Sequence, residues 1–119
     1  MVECLTFDEK FDALGEYYEI ESPDEIRQQL KKNENIFIFL EEIKPYLERS
    51  FSDASYSLKM NFEPEMDDKF IILFVNVSQE RFNNGIVEDM MGLRFDVHDL
   101  RQELNVFREL AIMPEILNV

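Results

Sequence analysis

The sequence predicts one α+β domain, with an antiparallel β-hairpin packed among amphipathic helices. Three observations lead there. The spacing of apolar residues changes from about 3.6 to 2 at Ala54, and a helical spacing returns after Val77. An acid-rich turn, Glu63-Pro64-Glu65-Met66-Asp67-Asp68, separates two runs of strand length. The chain has 119 residues and is 45% apolar, with eleven Phe and four Tyr, so it can bury a substantial core.

Helices are expected over residues 6–18, 23–32, 35–51, 80–93 and 97–112. Thr6-Phe7-Asp8-Glu9 reads as a capping box, with Phe7, Phe11, Leu14 and Tyr18 on one stripe behind it. Ser22-Pro23-Asp24-Glu25 is a second start signal, because proline suits the first helical position and acids favour the first turn. Ile26 and Leu30 form its apolar face, and the polar run Lys31-Lys32-Asn33-Glu34-Asn35 marks a break. Ile36, Leu40, Ile43, Leu47 and Phe51 then align on one side of the third helix. Pro45 sits inside that helix, removes a donor and predicts a kink or two abutting helices.

The hairpin is expected over residues 54–62 and 69–77. Ala54, Tyr56, Leu58, Met60 and Phe62 alternate with Ser55, Ser57, Lys59 and Asn61. Pairing Phe62 with Lys69 sets Met60 opposite Ile71, Leu58 opposite Leu73 and Tyr56 opposite Val75. Phe70, Ile72 and Phe74 then point to the other face, where the first strand offers only Ser57, Lys59 and Asn61. The second strand is apolar on both sides. A two-stranded sheet is marginal alone, so the second face calls for a cover. The last helix, a sister hairpin joined edge to edge, or a foreign strand on the free edge would each provide one.

After the hairpin, Ser78-Gln79-Glu80-Arg81 opens a turn and Asn83-Asn84-Gly85 reads as a stop or loop. Phe82, Ile86, Met90 and Leu93 share a rough stripe. Asp96 is expected to cap the final helix, whose apolar positions are Val97, Leu100, Leu104, Phe107 and Ala111. Pro114 ends it, leaving residues 114–119 as a short tail. No internal repeat divides the chain, so residues 1–119 read as a single acidic domain.

Twenty-six acidic residues face twelve basic ones, for a formal net charge of −14. Nucleic-acid backbones and anionic membranes are bound by clustered Lys and Arg, and Lys31-Lys32 is the longest basic stretch here. Direct binding to either is therefore not expected. The single cysteine, Cys4, forbids an internal disulfide and fits a reducing compartment. Met1-Val2-Glu3-Cys4-Leu5 lacks the basic and apolar regions of a signal peptide, so the expected location is the cytoplasm.

Catalytic candidates are sparse. His98 is the only histidine and lies on a polar side beside Asp99, where a solvated surface role is the simpler one. The residues show no phosphate-cradling glycine loop, nucleophile elbow, H-E-x-x-H or C-x-x-C. Glu63, Glu65, Asp67 and Asp68 invite a divalent metal, but they lack EF-hand spacing. A charged hairpin tip that resists edge aggregation explains them as well.

The segment from Ile36 to Val77 joins a helix I-x-P-Y-L-x-x-x-F, a strand Y-S-L-K-M-N-F, the turn E-P-E-M-D-D and a strand I-I-L-F-V-N-V. It resembles small uncharacterised bacterial and archaeal proteins of helix–hairpin–helix order, some of which accompany toxin-like partners. That resemblance implies an antitoxin-like or accessory role and carries no catalytic residues or cofactor. The residues point to a non-catalytic protein–protein interaction module. Its partner is a second copy, forming a homodimer, or a protein with a basic surface. Tyr56, Phe70, Ile72 and Phe74 are the candidates for a hydrophobic contact, and Glu63, Glu65, Asp67 and Asp68 for an electrostatic one. Two alternatives belong to other classes. One is a metal-dependent hydrolase or nucleotide-handling enzyme built on the acidic turn, and the other is an acidic mimic of nucleic acid.

Overall fold

Thr6 opens the first helix with the expected reciprocal cap: its hydroxyl oxygen accepts from the Glu9 amide at 3.2 Å, and the Glu9 carboxylate accepts from the Thr6 amide. The structure, a computed structural model, describes residues 6–51, 53–63 and 68–117. In chain order these form α1 (Phe7–Tyr17), β1 (Glu19–Ile20), α2 (Pro23–Lys32), α3 (Glu34–Glu42) and α4 (Lys44–Ser50). Then follow β2 (Ser55–Glu63), β3 (Asp68–Val77), α5 (Gln79–Asn83), α6 (Ile86–Leu104) and β4 (Leu110–Ile116). The class is α+β.

Pro45 splits the expected third helix in two. α3 stops at Glu42, and α4 restarts at Lys44 with the proline in its first turn, where no amide donor is needed. Asn33 separates α2 from α3, and its side chain accepts from the Asn35 amide at 3.2 Å.

The hairpin takes the expected register. Phe62 pairs with Lys69, Met60 with Ile71, Leu58 with Leu73 and Tyr56 with Val75. The sheet is larger than the hairpin and mixed, in the order β1-β2-β3-β4, with both outer strands parallel to their neighbours. β1 is two residues long and follows α1 directly, too short to leave an alternating pattern.

The C-terminal third departs most from expectation. α6 runs unbroken from Ile86 to Leu104, so the expected boundary between residues 93 and 97 is absent, and Asp96 is an exposed interior residue instead of a cap. The helix ends at Leu104, well short of the expected position 112. Asn105 adopts the left-handed conformation at φ 56° and donates its amide to the carbonyls of Arg101 and Gln102. Residues 110–116, divided between a helix end and a tail on sequence grounds, form β4 beside β3. Leu110, Ile112, Pro114 and Ile116 share one face by strand alternation. Phe107 and Ala111 fit a helical step only by coincidence; Phe107 is exposed and Ala111 lies on the outer face of the sheet.

Arg101 holds this turn. Its Nη1 donates to the carbonyls of Val106, Phe107 and Leu110 at 3.2, 3.1 and 2.9 Å, and its guanidinium lies 5.1 Å from the centre of the Phe39 ring. Burial first, and then the neighbouring Arg94, lower its pKa from the ordinary value. Asn35 donates to the Leu104 carbonyl at 3.0 Å, tying the end of α6 to α3.

The helices share one core with one face of the sheet. Leu14, Ile26, Leu30, Ile36, Phe39, Leu40, Leu47, Met90, Leu93 and Val97 meet Tyr56, Leu58, Ile71, Leu73, Val75, Leu110 and Ile112. α6 packs with α3 and α4 on this side. The last helix, named from sequence as one cover for the second face, does not cover it among the described residues.

Three tyrosines tie the broken α3–α4 segment to the sheet. The Tyr18 hydroxyl donates to the Leu40 carbonyl at 2.7 Å, and the Tyr56 hydroxyl reaches the carbonyls of Phe51 at 2.7 Å and Leu47 at 3.2 Å. Tyr17 stacks on Tyr56 with ring centres 5.4 Å apart. Burial raises the pKa of all three phenols, and the carboxylates of Glu48 and Asp53 add to the effect at Tyr56, which is pushed up to about 12.

Two outcomes follow from these contacts. Unfolded tyrosines lose their protons near pH 10, whereas folded Tyr56 keeps its proton until about pH 12. The unfolded state therefore binds fewer protons above pH 10, and stability, full below that pH, falls as pH rises toward 12. Denaturant titrations at pH 8, 10 and 11.5, with phenolate absorbance as a second probe, check this. Separately, Arg101→Met is expected to cost about 2 kcal/mol. It should lower the denaturation midpoint without changing the slope, and hydrogen exchange should speed up most at the β4 amides.

Candidate protein-binding surface

The outer face of the sheet carries three of the four residues predicted from sequence for a hydrophobic contact. On β3 these are Phe70, Ile72 and Phe74, paired with Asn61, Lys59 and Ser57 of β2 on one side. On the other side Ile72 and Phe74 pair with Ala111 and Met113 of β4. Strand alternation therefore divides the face lengthwise: β3 and β4 supply an apolar half, and β1 and β2 a polar half. Phe70, Ile72 and Phe74 are half-buried by their neighbours, Met113 is 44% exposed, and none of the four joins the core.

The polar half is built around Lys59. Its ammonium lies 3.2 Å from a Glu21 carboxylate oxygen and 5.1 Å from the centre of the Phe74 ring. Its hydrogen bond to the Glu21 carboxylate raises its pKa most, followed by the charges of Glu115, Glu21 and Glu19. Beside it the Asn76 amide donates to the Ser57 hydroxyl at 3.2 Å in a buried pair. Glu19, Glu21, Lys59 and Glu115 border a shallow depression of about 180 Å³. Three carboxylates around one ammonium leave this border acidic.

The predicted contact residues do not all meet. Tyr56 is on the opposite face, only 7% exposed and bonded to Leu47 and Phe51, so it belongs to the core. The cause is the pleat: Tyr56 and Phe74 are in adjacent rows of opposite parity. Glu63 and Asp68 pair across the ends of the hairpin strands. Glu65 and Asp67 lie outside the described residues, as does Cys4. His98 is exposed on α6.

The edges of the sheet bear on how a partner can bind. β4 occupies the β3 edge of the hairpin, one of its two edges open to a sister hairpin or a foreign strand, while β1 pairs only with Ser57 and Leu58 on the β2 edge. β4 is itself blunted. The bonds from Ile71 to the Glu109 carbonyl and from Leu117 to the Val77 carbonyl show that odd-numbered residues turn their backbone groups toward β3. Even-numbered residues face outward. There Pro114 has no donor, Arg101 takes the Leu110 carbonyl, and Arg94 takes the Ile112 carbonyl at 3.1 Å. Such features discourage strand addition.

A second apolar surface escaped the sequence. Val87, Met91 and Phe95 of α6 are 67%, 63% and 82% exposed and recur at steps of four. They were hidden because Phe95 fell in the expected gap between two helices. The exposed signal in sequence was a third helical stripe, offset from Ile86, Met90, Leu93 and Val97. Among the described residues no helix is long and apolar enough to cross a membrane. No family model, curated protein or solved structure matches the chain.

Proposed function

We propose that this chain is a non-catalytic protein-interaction module whose docking surface is the outer face of its sheet. The observation that carries this reading is the apolar half of that face. Phe70, Ile72, Phe74 and Met113 stand outside the core on a rigid, doubly paired strand and its neighbour. A contact of this kind excludes water from large side chains while a polar rim sets specificity. Glu19, Glu21 and Glu115 supply that rim, so the partner presents an apolar anchor flanked by Lys or Arg. The net charge of −14 favours the same class of partner by speeding encounter with basic surfaces. The antitoxin-like or accessory role implied by the resemblance is one form such binding takes.

Photo-crosslinking tests the surface directly. A benzophenone side chain at Phe74 is expected to give a discrete adduct in cells, and the same group at the exposed Gln28 of α2 is not. Replacing Glu19 and Glu21 together by Lys should abolish the adduct, and raising salt to about 0.5 M should weaken it. Absence of an adduct at position 74, or the same adducts from position 28, removes this surface.

A further inference from the structure

We propose that this chain binds a small phosphate monoester, of the size of a mononucleotide, in the cavity between α2 and the hairpin at Met60 and Lys69. The site is separate from the outer face of the sheet and stands on different observations. α2 packs against β2 and buries Ile26 and Leu30. By strand alternation Met60 and Lys69 stand on the helix side of the sheet, in the rows of Leu58 and Ile71. There α2 and the sheet part, and a half-open cavity of about 440 Å³ lies between them. Sites for small molecules range from about 300 to 1,000 Å³.

Charge makes the cavity a site for an anion. Its lining holds three ammonium groups, Lys31, Lys32 and Lys69, against one carboxylate, Glu25. The chain has more than two acids for each base. Even so, the side chains of Lys31 and Lys32 make no ion pair, hydrogen bond or ring contact among the described residues. The negative end of the helix dipole accounts for two lysines in the last turn of α2. It does not account for Lys69, which comes from a different element and completes the group on the same cavity. The excess of positive charge matches a phosphate monoester, which carries about −1.5 to −2 at neutral pH. Lysine is a common partner for such a group.

The rest of the lining sets what the phosphate is attached to. Glu25 stands in the first turn of α2 and the two lysines in the last, roughly 10 Å apart along the axis at about 1.5 Å per residue. The carboxylate therefore accepts from hydroxyl groups at the end of the cavity away from the phosphate. Gln28 and Gln29 lie between and offer amide donors and acceptors. Met60 gives the sheet side an apolar wall, against which a flat ring packs. Inorganic phosphate alone would leave most of this volume unfilled.

Adenosine monophosphate, inorganic phosphate and adenosine are the probes, with binding read from calorimetry and from amide chemical shifts. Adenosine monophosphate is expected to bind about tenfold or more tightly than phosphate. It should shift the amides of residues 28–32, Met60 and Lys69, while adenosine leaves them unmoved. Lys31→Gln with Lys32→Gln should weaken the nucleotide by about tenfold or more, without unfolding the chain because both side chains are exposed. Lys10→Gln with Arg49→Gln removes the same charge from exposed positions elsewhere and should change affinity by less than about twofold. No binding of the nucleotide at about 5 mM overturns the proposal. So do shifts centred away from the cavity, adenosine binding as tightly as its monophosphate, or equal losses in the two double variants. Phosphate binding as tightly as the nucleotide overturns the part assigned to Glu25 and Met60.

Discussion

β3 is paired on both edges and apolar on both faces, and the rest of the molecule is arranged around that constraint. Its inner row of Ile71, Leu73 and Val75 is fully buried beneath the helices. Its outer row of Phe70, Ile72 and Phe74 is only half-buried, screened by β2 on one side and β4 on the other. A strand this apolar is usual in sheets covered on both faces. Here the helices lie on one face, and large side chains remain at the surface of the other. The Lys59 stem and ammonium over Phe74 supply part of the missing cover, while keeping the charge in water.

The interior is held by polar contacts made by large side chains. A helix broken at Ile43-Lys44-Pro45 leaves backbone carbonyls near its ends without helical partners. The Tyr18 hydroxyl takes the Leu40 carbonyl beside the break. The Tyr56 hydroxyl adds a second donor to the Leu47 and Phe51 carbonyls, which also accept the Phe51 and Ala54 amides. Asn35 takes the Leu104 carbonyl at the end of α6. Among the described residues no buried side-chain nitrogen or oxygen lacks a partner. These bonds also explain why Tyr56, a large aromatic residue on a strand, serves the core and is not a contact residue.

Arg94 and Arg101 connect the interior to the edge. Both rise from α6, the helix that also carries the exposed Val87, Met91 and Phe95, and both end on outward carbonyls of β4. With Pro114 they close an edge that would otherwise invite another strand. Strand addition is thereby disfavoured at the β4 edge, and the large apolar side chains left at the surface are on the sheet face and the outer side of α6. No motif marks either surface, because each consists of ordinary apolar residues made unusual only by exposure.

Local signals determined much of this protein. The capping box at Thr6, the start at Pro23, the break at Pro45 and the register from Phe62 to Lys69 each depend on residues near in sequence, and each appears as the local chemistry requires. The two-sided character of β3 was also visible, since strand alternation alone separates Phe70, Ile72 and Phe74 from the core row. Tertiary structure decided the rest. Residues up to Ala111 continue a helical spacing from Val97, yet Leu110, Ile112, Pro114 and Ile116 also alternate, and the open backbone edge of β3 selects the strand. α6 runs through Gly92 and Asp96 because α3, α4 and the sheet bury its inner stripe at Met90, Leu93 and Val97 on either side of them. Which face the helices cover, and so which apolar side chains are left exposed, depends on packing between residues far apart in the chain. No window of neighbouring residues contains that information.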